Sequence, residues 1–164
     1  NHDENSWAGT VFERYGDGHK AFATFIFSAY GFPMIYSGQE VGLNKRLKFF
    51  EKDEIDWSDP LDLTSFYQKL IAMKHDNEAL WNGKFGGPTT RINADEWIYA
   101  FKREKNDNQV IGIINTSDQA QIFNLKDQTL AGTYQDYFTG QNFTIGPEPL
   151  QLLPWQYLIF TTNK

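Results

Sequence analysis

The stretch that decides the fold lies at residues 31–40 and reads Gly-Phe-Pro-Met-Ile-Tyr-Ser-Gly-Gln-Glu. Residues 34–37 form a short apolar run between Pro33 and Gly38, which are both turn signals. A continuous apolar run of this length between turn signals favours a strand that is buried on both faces, as in parallel sheets. The sequence therefore predicts one buried strand here, and its neighbours decide which kind of sheet it would join.

Helical patterns lie on both sides of this strand. Before it, apolar residues at helical spacing predict a helix that begins after Asp17 and ends near Ala29. After it, a charged, turn-rich loop leads to Asp59 and Pro60, which signal the start of a second amphipathic helix. That helix is predicted from Leu63, Phe66, Tyr67, Leu70, Ile71 and Lys74. The order helix, buried strand, long loop, helix is typical of a parallel α/β sheet.

The second half of the chain has the pattern of strands alone. Short apolar runs alternate with polar turns roughly every ten residues, which is typical of an antiparallel sandwich or barrel. The predicted strands are residues 97–103, 109–115, 120–125, 133–138, 142–145, 149–153 and 155–161. The sequence thus predicts an α+β chain in which residues 1–78 are the helical part, residues 79–94 a glycine-rich linker, and residues 95–164 an antiparallel β-sandwich domain.

The composition excludes several classes of protein. The 164 residues include 15 Lys and Arg against 21 Asp and Glu, and no basic stripe is visible, so no nucleic-acid partner is predicted. No apolar run approaches the roughly 18 residues that span a bilayer, so no membrane partner is predicted either. The absence of Cys removes disulfides, thiolate zinc sites and thiol catalysis. The 14 Phe, 8 Tyr and 5 Trp suit both a packed core and a sugar-binding surface.

A second motif, Asn1-His2-Asp3, opens the chain. Together with the Gly-x-Pro-x-Ile-Tyr-x-Gly-x-Glu pattern of residues 31–40, it resembles the end of the catalytic barrel in the α-amylase superfamily, glycoside hydrolase family 13. In that family Asn-His-Asp follows the seventh barrel strand and the Gly-x-Pro segment forms the eighth. Residues 55–58, 66–71, 77–80 and 153–157 resemble the family's eighth helix, its exit and the domain that follows. The resemblance implies a C-terminal fragment: an incomplete (β/α)8-barrel remnant, helix-strand-helix, followed by the C-terminal β-sandwich.

The resemblance also implies roles for the first residues. Asp3 matches the catalytic carboxylate that stabilises an oxocarbenium-like transition state and binds sugar hydroxyls. His2 and Asn1 are implied as substrate-binding residues, and Trp7 on the following loop could stack on a glucose ring. The family's nucleophile and acid/base belong to motifs that this sequence does not contain. The resemblance therefore implies a retaining α-glucan hydrolase of α-amylase or α-glucosidase type, inactive as the isolated chain.

No cofactor and no metal site are predicted within this segment. Its acidic loop lacks the spacing of an EF-hand, although the resemblance allows a calcium ion in the parent enzyme. The loop's acidic residues are Glu51, Asp53, Glu54, Asp56, Asp59 and Asp62. The predicted partners are an α-glucan or maltooligosaccharide, the missing N-terminal barrel portion, and a second copy through exposed barrel faces. Because such enzymes are often secreted or periplasmic, the resemblance favours an extracytoplasmic location.

The residues leave two functions open. The alternative to an enzyme is a non-catalytic carbohydrate-binding or structural β-sandwich module, which could hold a glucan without cleaving it. Within the enzyme class, hydrolases, transglycosidases and isomerases share these motifs. The reaction, the linkage and the exact substrate therefore stay open at the level of sequence.

Overall fold

A computed structural model of the chain describes residues 2–93 and 95–163. Within these residues the α-helices are α1 (Glu4–Trp7), α2 (Val11–Tyr15), α3 (His19–Ser28) and α4 (Leu63–Asp76). Short 3-10 turns lie at Gly16–Gly18, Gln39–Val41, Glu78–Leu80, Gly83–Phe85 and Gln128–Leu130. No helix in this part of the chain is both long enough and apolar enough to cross a membrane.

The strands follow the helices along the chain. They are β1 (Thr89–Arg91), β2 (Ile98–Lys105), β3 (Asn108–Asn115), β4 (Gln121–Phe123), β5 (Gly132–Gln135), β6 (Asn142–Ile145), β7 (Leu150–Leu152) and β8 (Tyr157–Asn163). A four-stranded sheet has the order β1-β2-β3-β8, and two smaller sheets pair β4 with β7 and β5 with β6. All of these pairs are antiparallel. The predicted α+β fold class, with helices first and antiparallel sheets after them, is confirmed.

The two predicted long helices form, each with a local cause. Helix α4 begins where expected because both carboxylate oxygens of Asp59 accept backbone N–H bonds at 2.8 Å, from Leu63 and Thr64. Helix α3 begins at His19, two residues after the expected cap Asp17, because a 3-10 turn runs directly into it. Helices α1 and α2 are short and were not predicted.

The predicted buried strand at residues 34–37 does not form in this chain. These residues pair with no strand among those the structure describes, and Met34 is exposed. A strand is held by hydrogen bonds to its neighbours, and a strand of a closed barrel has such neighbours on both sides. The sequence pattern of a barrel strand is present here, but the described residues supply no partner for it.

The four-stranded sheet is covered on both faces. The helical part of the chain packs on one face, and the two small sheets pack on the other. Side chains alternate along β3, so Ile111 and Ile113 face the small sheets whereas Val110 and Ile114 face the helices. The helix side of this core is built from residues of α3 and α4: Ala21, Ala23, Phe27, Leu63, Phe66, Tyr67, Leu70 and Met73. The helices thus form a third layer on the back of the sandwich.

Gly112 of β3 lies on the helix-facing side of the sheet, directly against the ring of Phe101. A Cβ atom at this position would lie 2.2 Å from the ring of Phe101, which is fully buried on the paired strand. The side chain of Phe101 therefore lies directly over the backbone of β3, and only glycine leaves room for it.

Arg103 on β2 links the helices to the sheet through hydrogen bonds. Its guanidinium is fully buried and donates to the carbonyl oxygens of five residues. These are Gly87 at 3.0 Å, Ser28 at 3.1 Å, Ala29 at 3.0 Å, Leu80 at 3.3 Å and Trp81 at 2.7 Å. Because Ser28 and Ala29 lie at the end of α3, one side chain satisfies carbonyls of a helix terminus, a turn and the segment before β1.

The range predicted as a linker contains regular structure. Two 3-10 turns lie in or next to it, and β1 pairs with β2 in the register Thr89 to Arg103. The boundaries at residues 78 and 94 stay predictions, since the shared core joins the segments on either side.

Candidate functional site

The residues that the sequence assigns to a sugar site lie at the start of α1. His2 Nε2 lies 3.2 Å from Asp3 Oδ1, and the two side chains are 74% and 42% exposed. An exposed pair of this kind contributes at most about 1 kcal/mol to stability. This small contribution to stability does not explain the position of the His2–Asp3 pair. Both side chains are accessible to a ligand. Asn1 lies outside the described residues.

Helix α1 is fixed by the loop of residues 44–48. Asn5 Oδ1 accepts the N–H of Leu47 at 2.7 Å, and Asn5 Nδ2 donates to the carbonyl of Lys45 at 3.2 Å. Ser6 Oγ donates to the carbonyl of Leu47 at 2.5 Å. Three hydrogen bonds from two adjacent residues therefore set the position of a helix that is too short to be stable by itself.

The same loop also fixes α2. Thr10 and Glu13 form a capping box at the start of this helix, with bonds of 2.8 and 3.2 Å. Arg46 binds the Glu13 carboxylate with two nitrogens, at 2.8 and 3.1 Å, and this contact holds the pKa of Glu13 below its ordinary value. Thr10 Oγ1 lies 2.7 Å from Asn44 Oδ1. The loop of residues 44–48 thus holds both short helices in place behind Asp3.

A cleft of about 400 Å³ opens between α1, α2 and the segment of residues 34–43. Polar groups of Glu4, Arg14 and Gln39 line it together with apolar groups such as Ile26. Gln39 is held in place because its Nε2 donates to the hydroxyl of Tyr67 at 2.8 Å. A cleft that mixes apolar walls with a few fixed polar groups is the ordinary setting for a small polar ligand.

Trp7 belongs to an exposed aromatic cluster. Its ring centroid lies 5.2 Å from that of Phe49 and 6.3 Å from that of Phe50, and the two phenylalanine rings are 4.8 Å apart. Trp7 was expected at the sugar site from the resemblance, whereas Phe49 and Phe50 were not expected there. Two adjacent aromatic residues inside a strongly charged loop are the signal that could have revealed them.

The acidic loop uses its carboxylates within the protein. Asp53 accepts bonds from Lys45 Nζ and from the backbone N–H of Lys48, and these contacts lower its pKa to about 2. Asp59 holds the start of α4, and Asp62 accepts a bond from Ser65 at 2.6 Å. Within residues 2–93 and 95–163, no three His, Asp or Glu side chains are grouped as a metal site requires.

Comparison with known proteins identifies relatives by sequence, although no family model matches the chain. The chain is 32% identical over 145 residues to Alpha-amylase 2 of Dictyoglomus thermophilum, a match that covers 79% of this chain and 24% of that protein. It is 30% identical over 115 residues to the cyclomaltodextrinase of Thermoanaerobacter pseudethanolicus, covering 66% and 19%. The chain thus spans a quarter or less of the length of these curated relatives.

Solved structures share the fold. The Anoxybacillus α-amylase superposes with a TM-score of 0.75 at 18% identity, over 90% of this chain and 33% of that chain. AmyP, solved in complex with maltose, gives a TM-score of 0.67 at 18% identity, over 94% and 38%. The fold is therefore that of part of an α-amylase-type protein, helices of the barrel end followed by a β-domain. Taken with the two sequence relatives, the chain belongs to the α-amylase superfamily, glycoside hydrolase family 13.

Proposed function

We propose that this chain is the C-terminal portion of a retaining α-glucan hydrolase of α-amylase or α-glucosidase type, and that it carries the carboxylate that stabilises the transition state. The observation that carries the proposal is the accessible Asp3 carboxylate, paired with His2 at the start of a helix that the loop of residues 44–48 holds in place. The sequence relatives, an α-amylase and a cyclomaltodextrinase, support it.

The chemistry of these two side chains suits the task. A carboxylate has two oxygens, so Asp3 can accept hydrogen bonds from two neighbouring sugar hydroxyls at once. Its negative charge also favours the positive charge that develops on the sugar ring as the glycosidic bond breaks. The imidazole of His2, which is largely exposed, can donate to a hydroxyl of the same sugar.

Bond cleavage requires two further groups. A stabilising carboxylate neither attacks the anomeric carbon nor protonates the leaving oxygen. In the proposed enzyme these groups come from barrel strands outside the present sequence. The substrate is proposed to be an α-glucan or maltooligosaccharide, in agreement with the maltose bound in one structural neighbour.

Substitution of Asp3 in the full-length protein that contains this sequence tests the proposal. Asp3→Asn keeps the size of the side chain and removes its charge, and we expect kcat on maltooligosaccharides to fall by about 100- to 1,000-fold. Asp17→Asn removes one charge from an exposed turn in the same part of the chain and should leave kcat unchanged. An Asp3→Asn enzyme that keeps more than about a tenth of its activity would contradict the proposal.

The isolated chain gives a second test. We expect the 164 residues alone to release no reducing sugar from starch, because the attacking carboxylate and the proton donor are missing. Release above that of a mock purification would show that this account of the missing groups is wrong.

The β-sandwich shows no comparable surface for the alternative function of a glucan-binding module. Among residues 95–163, Trp97 is the one aromatic side chain that is largely exposed. Other rings pack between the sheets, as Tyr134 does against Phe160 with centroids 5.3 Å apart. Beside the candidate site, by contrast, three aromatic side chains, Trp7, Phe49 and Phe50, are exposed.

A further inference from the structure

The segment between α4 and β1 contains the pair Asn82-Gly83, the one Asn-Gly sequence in the chain. In such a pair the backbone nitrogen of the glycine can attack the side-chain amide carbon Cγ of the asparagine. The attack closes a succinimide ring, and glycine permits it because no Cβ atom blocks the approach. Whether a folded protein allows this reaction depends on the contacts of the attacking nitrogen, the amide oxygen and the amide nitrogen that leaves.

The backbone around Gly83 leaves the attacking nitrogen available. The N–H of Gly83 has no acceptor among the described residues, and a Cβ atom placed on Gly83 would meet nothing within 4 Å. The bonds inside this turn are long, 3.3 Å from the N–H of Phe85 to the carbonyl of Asn82 and 3.4 Å from the N–H of Gly86 to the carbonyl of Gly83. Rotation of the Asn82 backbone toward ring closure therefore disrupts only weak hydrogen bonds.

The side chain of Asn82 is oriented for the same reaction. Its Oδ1 accepts the N–H of Gly31 at 3.3 Å. Attack on Cγ moves negative charge onto Oδ1, and a donor that already points at this oxygen stabilises that charge. Nδ2, the atom that must leave, has no hydrogen-bond partner among the residues that the structure describes. The oxygen is thus held while the leaving nitrogen is not.

The charges around Asn82 favour the reaction as well. Asn82 lines two clefts, one with Lys74 and His75 and the other with Lys84, and no carboxylate is among the described residues that line them. Lys74 Nζ donates to the carbonyl of Leu80 at 2.9 Å. Positive charge near Asn82 stabilises both the negatively charged intermediate and a carboxylate product.

We propose that Asn82-Gly83 is a self-modification site, at which the folded chain deamidates without the help of another protein. The nitrogen of Gly83 bonds to Cγ of Asn82, its proton passes through water to Nδ2, and the Cγ–Nδ2 bond breaks to release ammonia. A water molecule then adds to either carbonyl of the succinimide. The products are aspartate and isoaspartate at position 82, so a neutral amide becomes a carboxylate beside basic side chains.

Incubation of the full-length protein at mildly alkaline pH, followed by peptide mapping with mass spectrometry, tests the proposal. We expect the peptide that contains residue 82 to gain one mass unit and to separate into an aspartate and an isoaspartate form. Asn5 is the matched control in the same sample, because its Oδ1 and Nδ2 both have partners and a serine follows it. Asn82 should convert at least about tenfold faster than Asn5. Equal rates at the two positions would overturn the proposal.

A variant and a peptide separate the effect of the structure from that of the sequence. Asn82→Gln keeps the amide but would need a larger ring, so the mass gain at this position should disappear. A synthetic peptide of residues 75–84 has the same sequence without the contact from Gly31. The folded protein should convert at least as fast as this peptide. Much slower conversion in the folded protein would overturn the proposal and show that the fold protects Asn82.

Discussion

The helical part of the chain and its sheet part treat large apolar side chains in opposite ways. The four-stranded sheet buries every residue of β3 and covers both of its faces. The helical part leaves Trp7, Phe32 and Phe50 largely exposed. The sheet part therefore has a closed core, whereas large side chains of the helical part have no cover among the described residues.

The largest effect on stability is expected at the joint between the two regions. Arg103→Met should lower the free energy of unfolding by about 3 kcal/mol or more, because the carbonyls of Ser28, Ala29 and Trp81 lose the donor that Arg103 supplies. Arg91→Met is the control. Arg91 is exposed and lies 4.4 Å above the ring of Tyr99, so its loss should cost about 1 kcal/mol or less. Equal shifts in the thermal midpoint of the full-length protein would show that Arg103 does not join the regions.

A smaller effect is expected inside the sheet, where Gly112 lies against Phe101. Gly112→Ala should cost about 1–3 kcal/mol, because the new Cβ requires the ring to move within a closely packed layer. Phe101→Leu in the same chain should recover part of that loss by removing the ring, although it has its own cost. A double-mutant cycle by urea unfolding measures the coupling. If the effects of the two substitutions on the free energy of unfolding simply add, Phe101 does not lie against Gly112.

The smallest effect is a dependence of stability on pH. Burial, with a contribution from nearby Arg103, lowers the pKa of Lys74 to about 8 from 10.5, and burial raises those of Tyr67 and Tyr157 to about 12 from 10.0. Between pH 8 and about 10 the unfolded chain binds more protons at Lys74, so stability should rise with pH. Above pH 10 the unfolded tyrosines lose protons that the folded ones keep, so stability should fall.

Lys74→Met separates the two titrations. Thermal midpoints of the full-length protein from pH 7 to 11 should lose the rise in this variant and keep the fall, because both tyrosines are intact. A rise of the same size in the variant would show that Lys74 does not cause it.

The sequence predicted the helices and strands that have a regular hydrophobic period. It did not predict the features that depend on residues far away in the chain. Helix α4 and strands β2 and β3 follow from periodicity, which is local. Strand β1 was missed because three residues in a glycine-rich stretch carry too little pattern. The prediction of a strand at residues 34–37 was wrong. The apolar pattern is a property of these residues alone, whereas a strand also needs partner strands elsewhere in the protein.

The candidate site shows the same division. The motif at residues 1–3 could be recognised from the sequence, whereas helix α1, which follows it, could not. The roles of Asp3 and His2 stay proposals. The burial of Arg103 could not be predicted, since charged residues are usually exposed and its acceptors come from three separate segments. The pairing of Trp7 with Phe49 and Phe50 likewise depends on how the loop of residues 44–48 folds back onto α1.

A crystal structure of the full-length protein with a non-hydrolysable maltooligosaccharide tests the central claim most directly. We expect sugar hydroxyl oxygens within about 3 Å of the Asp3 carboxylate. An oligosaccharide bound in the catalytic cleft with the Asp3 carboxylate turned away from every sugar oxygen would contradict it.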